Sequence, residues 1–367
     1  MSGTSWLVLP LESERLRDAL WNGSLEHEGR RCRGVPRELI VEGDRRKVLL
    51  LLADPSTPRV GWWRRWWAAL RGGRASLVLA TSLWVLLLGL GQHWELRPRD
   101  ALLAVAGAFL LHLAVNAFAE IQDTMRLLDL GRWYEPDPES CAILEGWVSP
   151  RVLWRVGVLL LLLSLACGLP LLWWHSEALL PMAAMAALAA WGYSQPPLAL
   201  KYRGAGEAVL FMAAGPALVL GLSWCFFGQW NLVLVSLGAC LGLWTVALHH
   251  VGNLPDADQD REHRVSTLVT RLGFLRARLL VPVFYLVAWL SFLPAVAAAG
   301  LNPVYFFLLG LVLTPQIRLS LRLLRASGAA SVWMAGIRAR VRRVHWVSHL
   351  VALLVSWGCL FLFGSLI

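Results

Sequence analysis

Val156-Gly-Val-Leu-Leu-Leu-Leu-Leu-Ser-Leu-Ala-Cys-Gly-Leu-Pro-Leu-Leu-Trp173 runs for 18 residues without a charge. A helix of about 20 apolar residues crosses a hydrocarbon core about 30 Å thick. In lipid the backbone of such a run can satisfy its polar groups only within itself, so the segment is helical. Outward from it, runs of similar character recur at about 75–92, 101–122, 177–194, 205–227, 231–251, 277–299, 302–318 and 344–366, with this one extending over 152–173. The expected fold class is therefore all-α, a polytopic membrane bundle of nine transmembrane helices.

Composition agrees. The chain is 57% hydrophobic and 16% charged, against about 45–50% and about 25% in soluble proteins. The net charge of +10 sits in short segments between apolar runs, which speaks for topology and against nucleic acid. With a cytoplasmic N-terminus, the loops after spans two, four, six and eight hold Arg126, Arg132 and Arg151, then Lys201 and Arg203, then Arg261, Arg264, Arg271, Arg276 and Arg278, then a group from Arg318 to Arg343. The opposite loops offer Arg97 and Arg99. The positive-inside rule then predicts a multi-pass protein of the cell inner membrane with its N-terminus in the cytoplasm.

Residues 1–60 are charged and hold no spanning run. Trp6–Pro10, Glu38–Glu42 and Lys47–Ala53 read as short strands, with a hairpin turn at Glu42-Gly43-Asp44. A small soluble N-terminal appendage is expected there. Residues 61–74 contain Trp62-Trp63-Arg64-Arg65-Trp66-Trp67, an interfacial anchor rich in indole and guanidinium groups, and 75–367 form the membrane domain. No secretory signal is expected at the start of the chain. Six scattered cysteines without a CxxC pair read as small buried hydrophobes.

Ionisable residues at the ends of spans mark function. Asn116, Glu120 and Asp123, spaced four and three apart, project from one helix face. Three oxygen ligands on one face suit a hard cation such as Mg2+; the alternative is a helix end reaching solvent. Asp256, Asp258 and Asp260 follow span six, after a break at Asn253-Leu-Pro255. If helical, this segment places Asp256 and Asp260 on one face and Asp258 on another; the alternative is a solvated acidic loop. Tyr193-Ser-Gln-Pro196-Pro197-Leu198 and Lys201-Tyr202-Arg203-Gly204-Ala-Gly206-Glu207 connect spans four and five, with Lys201 and Arg203 placed to meet an anion or simply to flank the spans. Acids that hold Mg2+, Mg2+ that holds a diphosphate, and Lys and Arg that neutralise the rest form a coherent set. His112, His249 and His250 lie near these motifs as either packing residues or groups that polarise an acceptor hydroxyl, while His263 reads as solvated.

Together these motifs resemble the UbiA superfamily of intramembrane prenyltransferases, over about residue 70 to the end. Leu254-Pro255-Asp256-Ala-Asp258-Gln-Asp260-Arg261, then Thr267-Leu268, then Arg271-Leu272-Gly273 match its second motif in register. The segment from Tyr193 to Glu207 resembles its loop between spans four and five, and Gly146-Trp-Val-Ser149-Pro150 its entry to span three. Glu120, where many members have Asp, is similar to the branch near 1,4-dihydroxy-2-naphthoate polyprenyltransferases. Arg264, Val265 and Ser266 depart from the family's Gly and basic pair, and Pro138–Glu145 lacks that branch's Gly/Ser-rich pattern.

The resemblance implies transfer of a prenyl group from an isoprenoid diphosphate to an aromatic, quinone-type acceptor. Mg2+ would be held by Asn116, Glu120, Asp123, Asp256 and Asp260, and the diphosphate met by Lys201, Arg203, Arg261 and Tyr193. A terpene cyclase of the same superfamily is the alternative outcome. A transporter would show inverted repeats and midplane acids, whereas the acids here cluster at one side.

Overall fold

The structure, a computed structural model, describes residues 5–10, 14–22, 24–27, 30–42, 45–53, 61–70, 72–129, 142–143, 147–262, 265–298, 300–326, 328 and 332–363. Gly43, Asp44, Arg132, most of Pro138–Glu145, Gly146, His263 and Arg264 lie outside them. By density of contact the chain divides into two units, one of residues 1–77 with 108–166, the other of residues 78–107 with 167–367.

The first unit opens with β1 (Ser5–Pro10), α1 (Glu14–Asn22), β2 (Leu25–His27), β3 (Arg30–Glu42) and β4 (Arg45–Ala53). They form an antiparallel sheet in the order β1-β4-β3-β2. The pairing of Glu42 with Arg45 places a two-residue connection where the turn is expected. The register slips between Pro36 and Glu38, where proline has no N–H for the ladder. Helix α1 was not expected from the sequence. It forms because Leu16, Ala19 and Leu20, at helical spacing, bury with Leu9 and Leu25.

Helix α2 (Trp62–Ala69) carries the Trp/Arg segment. Trp63 and Trp67, one turn apart, stack at 5.5 Å and stay exposed, while Ala69 and Trp66 turn inward. This two-faced pattern suits a helix lying at an interface. Next come α3 (Gly72–Gly91), α4 (Pro98–Asp129) and α5 (Pro150–Trp174). Ala117 and Ile121 of α4 pack with Ala69, Ile143, Val148 and Leu153. Met125, one turn on, also packs against the α1 and strand core, and Arg151 at the start of α5 donates to Asn22 Oδ1 at 3.2 Å. The appendage is thus seated on the end of the helix that carries the first acidic motif.

The chain continues through α6 (Ser176–Ala187), α7 (Gly206–Met212), α8 (Leu218–Phe227), α9 (Leu232–Asn253), α10 (Ala257–Glu262), α11 (Leu268–Leu272), α12 (Phe274–Leu290), α13 (Leu293–Ala298), α14 (Pro303–Arg322) and α15 (Val332–Phe363). Among the described residues six helices are long and apolar enough to cross a membrane: 98–125, 150–174, 206–227, 232–253, 274–298 and 303–325. Ala75–Gly91 and Ser176–Gly192 are shorter apolar helices. The expected last segment, 344–366, falls on α15, which begins earlier, at Val332.

Helix α9 is the centre of the second unit, with 67% of its most apolar window buried. Elsewhere large apolar side chains face outward, among them Leu275, Phe307 and Leu311, as a hydrocarbon solvent permits. One close approach is decided by glycine. A Cβ on Gly215 would lie 2.6 Å from the Gly242 Cα, so only glycine lets the π-helical turn Ala213–Ala217 press against α9. Pro216 within that turn lacks the N–H of a regular helix, a common cause of such a turn.

Candidate active site

The first acidic motif lies within α4, which is unbroken from Pro98 to Asp129, so the four- and three-residue spacing keeps its three side chains on adjoining turns of one face. Asn116 is buried, and its amide donates to the Leu70 carbonyl at 3.1 Å. Glu120 is fully buried, and Asp123 is half-buried. A helix end reaching solvent is thereby set aside for Glu120. A carboxylate at that depth persists only with hydrogen bonds or a cation.

The second motif and the basic loop belong to the other unit. Chain direction changes at Leu254-Pro255, and α10 then begins. The Asp260 N–H donates to the Asp256 carbonyl at 2.8 Å, so the segment is helical and the two residues share a face. Both are half-buried, whereas Asp258 is exposed. Leu254 and Ala257 are buried in the core beside them, so the segment is an anchored turn and not a solvated loop.

The basic loop is built on main-chain bonds. The Lys201 N–H donates to the Tyr193 carbonyl at 2.8 Å, and Lys201 Nζ lies 5.3 Å from the Tyr202 ring centroid. The Ser266 N–H donates to the Tyr202 carbonyl at 3.0 Å, and the Val265 N–H to the Asp260 carbonyl at 2.8 Å. An isolated parallel bridge joins Arg203 to Ser266. The strand-like segment 265–266 therefore ties the Lys201–Arg203 loop to the Asp256–Asp260 turn. Arg261 is exposed, with its guanidinium beside Gly273.

Arg271 closes this join, which sequence reasoning did not foresee. Its Nη2 donates to the Arg203 carbonyl at 2.7 Å and its Nε to Ser266 Oγ at 2.8 Å. Ser266, a departure from the family pattern, thus supplies an acceptor, and its N–H bond is one any residue other than proline makes. Thr267 caps α11 through a reciprocal pair of bonds with Thr270, which directs Arg271 from the last turn of that helix. Gly204 has φ +79°, and a Cβ there would collide with the Arg271 guanidinium. Gly204→Ala should therefore lower the thermal unfolding midpoint in detergent. The left-handed conformation alone costs about 1–2 kcal/mol for a residue with a Cβ. Gly252→Ala, in α9 with nothing within 4 Å of the added methyl, should raise it, since Ala exceeds Gly in helices by about 1 kcal/mol. Tryptophan fluorescence during heating reads both; a neutral Gly204→Ala would refute the fit around Arg271.

Two of the histidines near the motifs contact main-chain carbonyls. His250 is fully buried, with Nε2 2.9 Å from the Ala277 carbonyl and Nδ1 3.9 Å from Glu207 Oε1. Glu207 opens α7, where a helix N-terminus favours an acid, and its carboxylate also interacts with the Leu268 backbone. His249 contacts the Thr245 carbonyl one turn back at 3.1 Å.

The donors of both motifs are oxygens, which fits Mg2+ and not a soft-metal site. Among the described residues no three His, Cys, Asp or Glu side chains form a metal cage by themselves.

The model of the UbiA prenyltransferase family matches residues 78–339. The chain is 31% identical over 117 residues to UbiA prenyltransferase domain-containing protein 1 of Dictyostelium discoideum, covering 31% of this chain and 34% of that one. It is 28% identical over 182 residues to 1,4-dihydroxy-2-naphthoate octaprenyltransferase of Mycobacterium tuberculosis, covering 49% and 60%. It thus spans about a third and three-fifths of the lengths of these curated relatives. A UbiA homologue from Archaeoglobus fulgidus, solved with GPP and Mg2+, shares the fold at a TM-score of 0.54 and 14% identity, over 80% of this chain and 99% of that one.

Proposed function

The chain belongs to the UbiA prenyltransferase family, and on that premise we propose that it transfers a prenyl group from an isoprenoid diphosphate to an aromatic, quinone-type acceptor within the bilayer. The observation that carries the reading is the tie between the Lys201–Arg203 loop and the Asp256–Asp260 turn, closed by Arg271. Cations and carboxylates held together at the end of an apolar bundle suit a diphosphate joined to a hydrocarbon. The solved homologue with GPP and Mg2+ and the naphthoate octaprenyltransferase relative support the substrate class. The proposed orientation is nine spans with the N-terminus in the cytoplasm of an inner-membrane protein, supported by where Lys and Arg fall.

In the proposed mechanism Asn116, Glu120 and Asp123 are the ligands of the first motif, and Asp256 and Asp260 those of the second. Mg2+, when bound, neutralises negative charge on the diphosphate and makes it a better leaving group. Lys201, Arg203 and Arg261 donate to diphosphate oxygens, with Tyr193 beside them. The allylic carbon–oxygen bond breaks and its electron pair leaves with the diphosphate. Apolar and aromatic side chains exclude water from the allylic cation and stabilise it through their π faces. A ring carbon of the acceptor supplies the electrons of the new carbon–carbon bond, and its proton passes to solvent or to the released diphosphate.

A binding isotherm with an unreactive thio-diphosphate analogue tests the anion contacts. A charge-assisted hydrogen bond contributes about 1.5–3 kcal/mol, so Arg203→Ala should weaken affinity by about one to two orders of magnitude. Unchanged affinity in both Arg203→Ala and Lys201→Ala would reduce these residues to topology signals.

A further inference from the structure

Glu207 and His250 meet where three pieces of the second unit converge. His250 lies near the end of α9, six residues before Asp256, and is 0% exposed. Glu207 opens α7, four residues after Arg203, with its side chain 15% exposed. The proposed reaction uses neither of them.

The proton count of the pair follows from what each atom faces. His250 Nε2 stands 2.9 Å from the Ala277 carbonyl. A carbonyl only accepts, so Nε2 carries a hydrogen. Nδ1 of a neutral ring would then point its lone pair at Glu207 Oε1, 3.9 Å away. An ionised carboxylate is likewise an acceptor only. Both atoms are buried, and neither has a hydrogen-bond partner among the described residues. The Phe284 ring stands edge-on to the imidazole at 5.6 Å, an apolar neighbour that offers nothing in exchange. Two buried acceptors facing one another would both go unsatisfied, which folded proteins avoid. One proton therefore lies between them. The pair carries no net charge, whether as imidazolium with carboxylate or as imidazole with carboxylic acid.

The carboxylate of Glu207 also bonds the Leu268 backbone. Leu268 is the first residue of α11, and the N–H groups of a first helical turn have no partner within the helix. Thr267 Oγ1 takes the Thr270 N–H, and the Glu207 carboxylate takes that of Leu268. At the other end of α11, Arg271 donates to the Arg203 carbonyl at 2.7 Å. Helix α11, too short to persist on its own hydrogen bonds, is thus held against residues 203–207 at both ends.

We propose that Glu207 and His250 are positioning residues: Glu207 clamps the start of α11 to the basic loop, and His250 anchors and neutralises Glu207 from the helix that leads to Asp256. The clamp sets the place of Arg203 through Arg271. Neutralisation belongs to the role, because a carboxylate without its histidine puts an uncompensated negative charge beside the loop that is to meet diphosphate. The inference rests on the proposed function for the identity of that anion, and on geometry alone for the clamp.

Hydrogen–deuterium exchange on the full chain in detergent reads the clamp, and the thio-diphosphate isotherm reads its consequence. Glu207→Ala should speed exchange of the amides of residues 266–272 and leave α14 protected. It should also weaken the analogue by about tenfold, the scale of one lost charge-assisted bond. Glu207→Gln should keep both near wild type, because its amide donates to a neutral Nδ1 and its carbonyl accepts from Leu268. His250→Leu should show both losses in milder degree. Adding Glu207→Gln to it should restore most of what was lost, since the uncompensated charge is gone; packing damage alone would accumulate. Should Glu207→Ala not fold, the comparison of His250→Leu with the double variant decides in its place. Wild-type exchange and affinity in folded Glu207→Ala, equal loss in Glu207→Gln and Glu207→Ala, or a double variant no better than His250→Leu would each overturn the proposal. Wild type that fails to bind the analogue would sink the proposed function, while the exchange comparison still decides the clamp.

Discussion

Asp256→Ala and Asp260→Ala should each cut prenyl transfer by about two to three orders of magnitude, the scale on which loss of one group stabilising developing charge is felt. Both carboxylates come from one face of the turn opened by the Asp256 carbonyl and the Asp260 N–H, and both are half-buried. Asp258, exposed on another face, should retain most turnover as Asp258→Ala. The fold should survive all three changes, because the turn is anchored by Leu254 and Ala257 and by main-chain bonds that alanine keeps. The measurement is the initial rate of product formation from a radiolabelled allylic diphosphate, with the unfolding midpoint as control. Equal loss at all three positions would refute the shared face as the basis of the site.

Removing divalent metal should have a comparably large effect. Exhaustive chelation should bring transfer to background, and Mg2+ should restore it. The proposed ligands Asn116, Glu120, Asp123, Asp256 and Asp260 are all oxygen donors, which bind hard cations. Full turnover after chelation would remove the metal from the mechanism. Product formed from the diphosphate with no acceptor present would instead redirect the reading to cyclisation.

Much of this protein is legible along the chain, because the physics involved is local. The length of an uncharged run decides whether a helix can cross lipid, and Val156–Trp173 needs no tertiary partner to make that case. Helical period decides which acids share a face, so the grouping of Asp256 with Asp260, and not Asp258, follows from spacing once the segment is helical. Strand pairing around residues 42–45 follows from a turn flanked by strand-forming residues. The alternation that marks those strands did not reveal α1, whose Leu16, Ala19 and Leu20 become a buried face only when Leu9 and Leu25 meet them.

Tertiary structure decided the rest, wherever the meaning of a residue depends on one far away in sequence. The solvent alternative for Glu120 stayed open until burial closed it, because burial is set by what packs around α4. The role of Arg271 rests on a carbonyl 68 positions earlier. Ser266 reads as a departure from a motif, yet its N–H bonds the basic loop and its hydroxyl accepts from Arg271, while the neighbouring Val265 N–H reaches the acidic turn. The stack of Trp244 on His349 unites helices that no local period connects. Spacing tells which side chains share a helix face; only packing tells what that face meets, because contact energies are between neighbours in space.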